Sequence, residues 1–202
     1  TEADIYSRQA LPDETPCKNI RNEFEKETLQ GFETFAKLSQ THPTHSMILY
    51  VDASKTGAHP IPGQTCGQSH WRGVVEDPIG SKTHREVFRS KICPKGHNNA
   101  AEYIAIIEGI QWIQSHDPSW RITPPGTHTL YSDSMIAIAW VKNGNTNCGI
   151  RDQFDLDFKA AFEAAESWLT KQSTQDRSIF IPWIQQWDTK TQGQIPADFG
   201  KK

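Results

Sequence analysis

Four carboxylates stand where an acid needs a reason. Asp52 falls at the end of the apolar run MILYVDAS (47–54), and Glu102 lies in the segment free of breakers that follows GHNN (96–99). Asp133 closes the run THTLYS (127–132), and Asp198 sits in the C-terminal stretch WDTKTQGQIPADFGKK. Each has an ordinary reading when taken alone: a loop or cap residue, a first-turn Glu serving the helix dipole, a helix cap, a terminal polar residue. Held together, however, such acids would repel and raise one another's pKa unless divalent cations sat between them. Hard oxygen ligands select Mg²⁺ or Mn²⁺, and a pair of such ions about 3.5–4 Å apart serves in-line phosphodiester chemistry with no side-chain nucleophile. No GxSxG, HExxH or Walker loop competes with that reading.

The elements that must position these acids can be read from periodicity. The run at 47–53 is apolar on both faces, as in a central strand of a covered sheet, and the two-residue period points Asp52 to the side of Ile48 and Tyr50. Residues 55–69, rich in Gly and Pro, read as a loop, and 71–76 and 86–92 alternate as strands around the turn PIGSKT. With the first strand these predict an antiparallel meander. A helix is expected over 100–114, capped by Asn98 or Asn99, with Glu102, Ile106, Gly109, Ile110 and Ile113 on one inward face. A strand over 127–132 and a short helix over 134–141 put Asp133 at a strand-to-helix switch, where open α/β sheets place ligands. A helix over 151–171, its core face made by Phe154, Phe158, Phe162, Ala165 and Leu169, and a last strand over 178–184 complete the pattern.

Residues 1–18 read as a polar arm and 19–40 as an amphipathic helix, so 1–45 is expected to be an extension packed on a domain spanning 46–202. The net charge of −3 argues against gripping nucleic acid by bulk electrostatics, and the imbalance is confined to 1–45, which holds eight acids against five bases. Four scattered cysteines (Cys17, Cys66, Cys93, Cys148) form no CxxC pair, so neither a zinc site nor a disulfide framework is indicated. With no apolar run of membrane-spanning length and no signal-like N-terminus, a reduced, cytoplasmic, monomeric protein is the default expectation.

The set YVDAS, NNAAEYIAIIEGI, LYSDSMIAIAWVK and IPADFGKK resembles the type 1 ribonucleases H, bacterial type, over about residues 46–202. The resemblance implies an α/β, ribonuclease H-like fold: a five-stranded mixed sheet, three antiparallel strands first, flanked by helices on both sides. It implies an endonuclease that cuts the RNA strand of RNA–DNA hybrids with two Mg²⁺ ions (Mn²⁺ substituting) and leaves 5′-phosphate and 3′-hydroxyl ends. Asp52 would bridge both metals, Glu102 and Asp133 would help hold the ion on the leaving-group side, and Asp198 the ion that activates water. Asn98 and Asn99 would touch the hybrid in its minor groove and at a DNA-strand phosphate, with Ser54, Ser134 and Thr146 as further substrate contacts. Recognition through 2′-hydroxyls and A-like shape suits such duplexes.

The chain departs from that pattern in several places. Gln194, four residues before Asp198, stands where similar enzymes commonly carry Glu or a loop His that assists turnover, and Met135 stands where a polar contact residue is often found. A basic handle helix and an N-terminal hybrid-binding module are not recognisable. Two other readings stay open: a nuclease of the same fold acting on DNA, and a non-catalytic hybrid-binding module.

Overall fold

The computed structural model describes residues 46–56 and 66–199, so the arm and helix expected over 1–45 lie outside the described residues. In chain order the elements are β1 (Met47–Thr56), β2 (Gly67–Glu76), β3 (His84–Arg89), β4 (Cys93–Gly96), α1 (Asn98–His116), β5 (His128–Ser132), α2 (Met135–Asn143), α3 (Leu156–Lys171), α4 (Thr174–Phe180), β6 (Ile184–Gln186) and α5 (Thr189–Gln192). Five strands lie in the order β3-β2-β1-β5-β6, and the short β4 pairs off that path with β2. The first three strands are antiparallel, while β1, β5 and β6 run parallel. This is the mixed sheet, antiparallel strands first, that the resemblance implies, with one strand more than expected.

The sheet is two-faced because β1 is apolar in both registers. Met47, Leu49, Val51 and Ala53 join the main core with α1, α2, α3 and α4, whereas Tyr50 and Ile48 belong to a smaller cluster with Val74, Tyr131, Trp187, Ile195 and Ala197. Among the described residues the long helices therefore share one face, and the other is packed by the C-terminal segment.

Helix α1 is the pillar of the core. Every residue from Ala100 to Ile107 is buried, as are Gly109, Ile110 and Ile113. Gly109 lets the helix lie close on the sheet: a Cβ there would stand 2.7 Å from Leu130 Cδ1, 3.0 Å from Leu49 Cδ2 and 3.1 Å from Val51 Cγ1. At its far end, buried Asp117 accepts from Thr123 Oγ1 at 2.9 Å and sits 2.8 Å from buried His128 Nε2, tying the end of α1 to the start of β5. No helix among the described residues is long and apolar enough to cross a membrane.

Four expectations need correcting. The N-cap of α1 is His97, not Asn98 or Asn99, both of which lie inside the first turn. The expected loop over 55–69 is shorter, because main-chain pairing continues to Thr56 and resumes at Gly67, where Gly and small polar residues give no alternation to read. Residues 151–171 are not one helix: a 3-10 turn (Arg151–Gln153) precedes α3, whose cap is Asp155, its side chain accepting from the Phe158 amide. The expected strand over 178–184 is mostly helical; Ser173 caps α4, Pro182 sits in a 3-10 turn, and only Ile184–Gln186 pairs with β5. A short apolar run fits a buried helix end as well as a strand.

The close approach at Gly109 gives a stability test. Gly109→Val is expected to cost about 2–3 kcal/mol through overpacking against Leu130, Leu49 and Val51, read as a lower urea midpoint with an unchanged slope.

Candidate active site

The site opens where the sheet changes direction. Pairing of β1 with β5 runs from Met47↔His128 to Tyr50↔Tyr131, while on its other side β1 stays paired with β2 through Thr56. Two residues beyond the last parallel pair stand Asp52 and Asp133. The strands have parted there, at the carboxyl ends of parallel strands beside a reversal of order, where α/β sheets form their clefts. Glu102, one turn into α1, reaches the same place. Oxygens of Asp52, Glu102 and Asp133 all lie within 4.8 Å of one another.

Each acid is placed by neighbours with other tasks. The pairing of β1 fixes Asp52 opposite Arg72. Glu102 is held by a helix buried all round it, with Ala101 and Tyr103 in the core on either side. Asp133 does not cap α2, because Ser134 does, its hydroxyl accepting from the Ala137 amide.

Asp198 arrives by a longer route. The Trp187 amide donates to the Ser132 carbonyl at 2.9 Å, and the Trp187 ring meets Tyr50 and Tyr131 edge-on. The chain then forms the short α5 and turns at Gly193 (φ 78°), where a residue with no Cβ adopts the left-handed backbone without strain. It seats Ile195 and Ala197 against Tyr50 and Val74. A turn from the Asp198 amide to the Ile195 carbonyl (2.8 Å) follows. Asp198 is outside the closest group of three, yet its charge, with that of Asp133, acts on Asp52.

Burial and charge act in one direction at this site. Asp52 is 7% exposed and Glu102 2%. Burial first, then the charges of Asp133 and Asp198, push Asp52 up from its ordinary 3.8 to about 7, against hydrogen bonds from Glu102 and the Ala53 backbone that pull it down. Burial, and then Asp52 and Asp133, hold Glu102 well above the usual carboxylate range.

The residues fit a divalent cation. The donor set is all carboxylate oxygen, the choice of Mg²⁺ or Mn²⁺ over softer ions. Glu102 Oε2 is buried and has no hydrogen-bond partner, and a buried oxygen left so is costly unless something binds it. Asp52, Glu102 and Asp133 would hold such an ion, with Asp198 beside them.

The remaining candidates are placed as follows. Asn98, Asn99 and Ser54 are half-buried, the asparagines one turn before Glu102 and Ser54 two residues past Asp52. The Ser134 hydroxyl serves as the α2 cap. Thr146 is buried, its hydroxyl donating to Glu166 and accepting from Arg151 Nη2 at 2.5 Å, so both its capacities are used within the protein. Gln194 is exposed, directly after Gly193. Met135, at the start of α2 beside Asp133, is 64% exposed. Sequence reasoning missed Arg72, which donates through Nε to the Ala197 carbonyl (2.7 Å) and through Nη2 to that of Asp198. One arginine in an alternating strand reads as a solvated position, and only the fold brings the C-terminal segment to it.

No family model matches the chain. Among solved structures it aligns with LC11-RNase H1, isolated from compost by a metagenomic approach, at 16% identity over 71% of this chain and 83% of that one, with a TM-score of 0.40. RNase H1 from the halophilic archaeon Halobacterium salinarum NRC-1 aligns at 17% identity over 72% and 87%, TM-score 0.36. The N-terminal RNase H domain of a Mycobacterium tuberculosis protein aligns at 17% over 73% and 89%, TM-score 0.36. Likenesses at this level assign neither an activity nor a substrate.

The raised Asp52 carboxyl predicts an inverted pH dependence. Below pH ~4 the group is protonated both folded and unfolded and costs nothing. Between there and about 7 the native chain binds more protons than the unfolded one, so stability falls as pH rises through that window. In metal-free buffer at pH 7.5, Asp52→Asn is expected to be more stable than the wild type by about 1–3 kcal/mol. The difference should vanish near pH 3.5 in urea titrations.

Proposed function

We propose that the chain is a metal-dependent endonuclease of the ribonuclease H type, hydrolysing the RNA strand of RNA–DNA hybrids to 5′-phosphate and 3′-hydroxyl ends. The observation that carries this reading is the meeting of Asp52, Glu102 and Asp133 within 4.8 Å at the parting of β1 and β5, with a buried Glu102 oxygen left unpartnered. The four motifs that resemble the type 1 ribonucleases H contain these three acids and Asp198 in the same order, which supports the choice of substrate.

In this reading bound divalent ions lower the pKa of the attacking water and offset charge on the leaving oxygen. The protein's part is positional. Asp52, on which the other three acids act, would hold the ions together with Glu102 and Asp133 on the leaving-group side and Asp198 on the side of the attacking water. Because Asp52 and Glu102 resist ionisation without metal, loading the site releases protons, and affinity for metal rises with pH. Asn98 and Asn99 in the first turn of α1 and Ser54 on β1 would meet ribose hydroxyls and phosphate near the cut. Thr146, tied to Arg151 and Glu166, is left out of that set.

The test is cleavage of end-labelled RNA–DNA hybrid, single-stranded RNA, duplex RNA and duplex DNA with Mg²⁺ or Mn²⁺. The RNA strand of the hybrid alone should be cut, and Asp133→Asn should lower the rate at least ~1,000-fold, or about 4 kcal/mol of barrier. Cutting of duplex DNA would transfer the reading to a DNA nuclease, and binding without cutting would make the chain a hybrid-binding module. Gln cannot titrate, so Gln194→Glu is expected to raise turnover with metal affinity kept; an unchanged rate would remove any auxiliary role from that position.

A further inference from the structure

Three of the four acids are held by regular structure: a strand, a helix, and the end of a strand. Asp198 is held by a loop, and a loop needs another anchor if its carboxylate is to keep one position. Arg72 supplies it. Its Cα is paired with that of Asp52 across β1 and β2, so it is fixed to the same frame as the acid beside which Asp198 has to stand. One planar guanidinium spans two successive carbonyls, Ala197 through Nε at 2.7 Å and Asp198 through Nη2.

The same guanidinium lies 4.7 Å from the centre of the Phe199 ring. Arg89 on β3 approaches that ring at 5.4 Å, and His70 on β2 meets it edge-on at 4.0 Å. Glu86 accepts from Arg72 Nη1 at 3.4 Å and from Arg89 Nε at 2.9 Å, holding the two arginines side by side. The residues on both sides of Asp198 are thus fixed, one by its carbonyl and the other by its ring.

We propose that Arg72 is a positioning residue for Asp198, setting the place of that carboxylate relative to Asp52 by holding the Ala197 and Asp198 carbonyls and the Phe199 ring. The inference rests on the proposed metal-dependent nuclease. Lysine cannot replace it, because a single ammonium neither spans two carbonyls as a rigid fork nor lies flat on a ring. Arg72 reads the main chain here, so it fixes the segment while leaving the Asp198 carboxylate to its own partners.

The experiment measures Mn²⁺ binding to the metal-free chain by calorimetry, and hybrid cleavage, for wild type, Arg72→Met, Arg72→Lys, Asp198→Asn and Arg72→Met/Asp198→Asn, with melting curves for each. Arg72→Met should weaken Mn²⁺ affinity or lower kcat by about 10–100-fold, the range for a residue that orients a metal ligand. KM for hybrid should stay within about twofold, because KM does not report this placement. In the Asp198→Asn background Arg72→Met should cost nothing more, since the two act through one group. Arg72→Lys, which keeps the charge, should recover only part of the loss, and it replaces Arg72→Met in the comparison if the latter melts below the assay temperature.

Wild-type values in Arg72→Met, full recovery by lysine, or losses that add to those of Asp198→Asn would overturn the proposal. An active wild type whose Mn²⁺ binding and hybrid cleavage are both untouched by Arg72→Met overturns the positioning role alone. Mn²⁺ binding that depends on both Asp198 and Arg72, without any cleavage, supports the positioning role and overturns the nuclease reading alone. A wild type that binds no Mn²⁺ overturns both.

Discussion

The confinement of Asp52 and Glu102, buried side by side next to Asp133 so that charging either one is costly, is the constraint around which the rest of this structure is arranged. Two carboxylates, almost wholly removed from water and near a third, lie in an arrangement the chain would leave if it could. It cannot, because each acid belongs to an element whose position is decided elsewhere. Helix α1 is gripped by apolar contacts on nearly every side, and Gly109 presses it onto Leu49, Val51 and Leu130, so Glu102 has no lateral freedom. β1 carries a strand on either edge and a packed layer on either face, so Asp52 has none either. Burial energy spread over the core thus holds together a few like charges, and their proximity is what makes them useful to a cation.

The fourth acid is governed by a different balance. The C-terminal segment gains stability from Trp187, Ile195 and Ala197 on the second face of the sheet, and direction from the Arg72–Glu86–Arg89 cluster. These are fewer apolar contacts and more polar ones. The half-buried Asp198 thus depends on a guanidinium only partly shielded from solvent.

Much of this was legible in the residues. Asp52 near the end of the apolar run MILYVDAS (though β1 itself continues to Thr56), Asp133 after THTLYS and Glu102 in an unbroken helical run are readable because apolar runs and long periodic segments leave strong local signals. The antiparallel meander followed from the succession of alternating runs, and the mixed sheet from the resemblance. What could not be read depended on contacts distant in sequence. IFIPWI reads as a strand because it is short and apolar, whereas the Ser173 cap and Pro182 turn most of it into helix. Asn98 and Asn99 suit a cap by type, but the helix begins one residue earlier, with His97 in the cap position and making no side-chain cap hydrogen bond. Cys93–Gly96 is a strand only because β2 is long enough to pair with it beyond β3. Thr146 is a substrate-contact candidate in the sequence, but Glu166 and Arg151, on later elements, bond its hydroxyl.

The assembly of the site from both ends of the described sequence also bears on when it exists. Asp52 and Asp198 are joined by contacts of very long sequence separation, the kind formed late because their loop-closure entropy is met only once the intervening core is in place. Helix α1 and strands β1 and β2 are close in sequence and can dock first, bringing Asp52 and Glu102 together before the C-terminal segment crosses the second face. In the native state the same asymmetry runs in reverse. Local opening releases weakly buried segments before the core, so the segment carrying Asp198 detaches at lower free energy than the pillar carrying Glu102. The four acids are therefore carried by elements of unequal stability, three on the packed core and one on a segment at its margin.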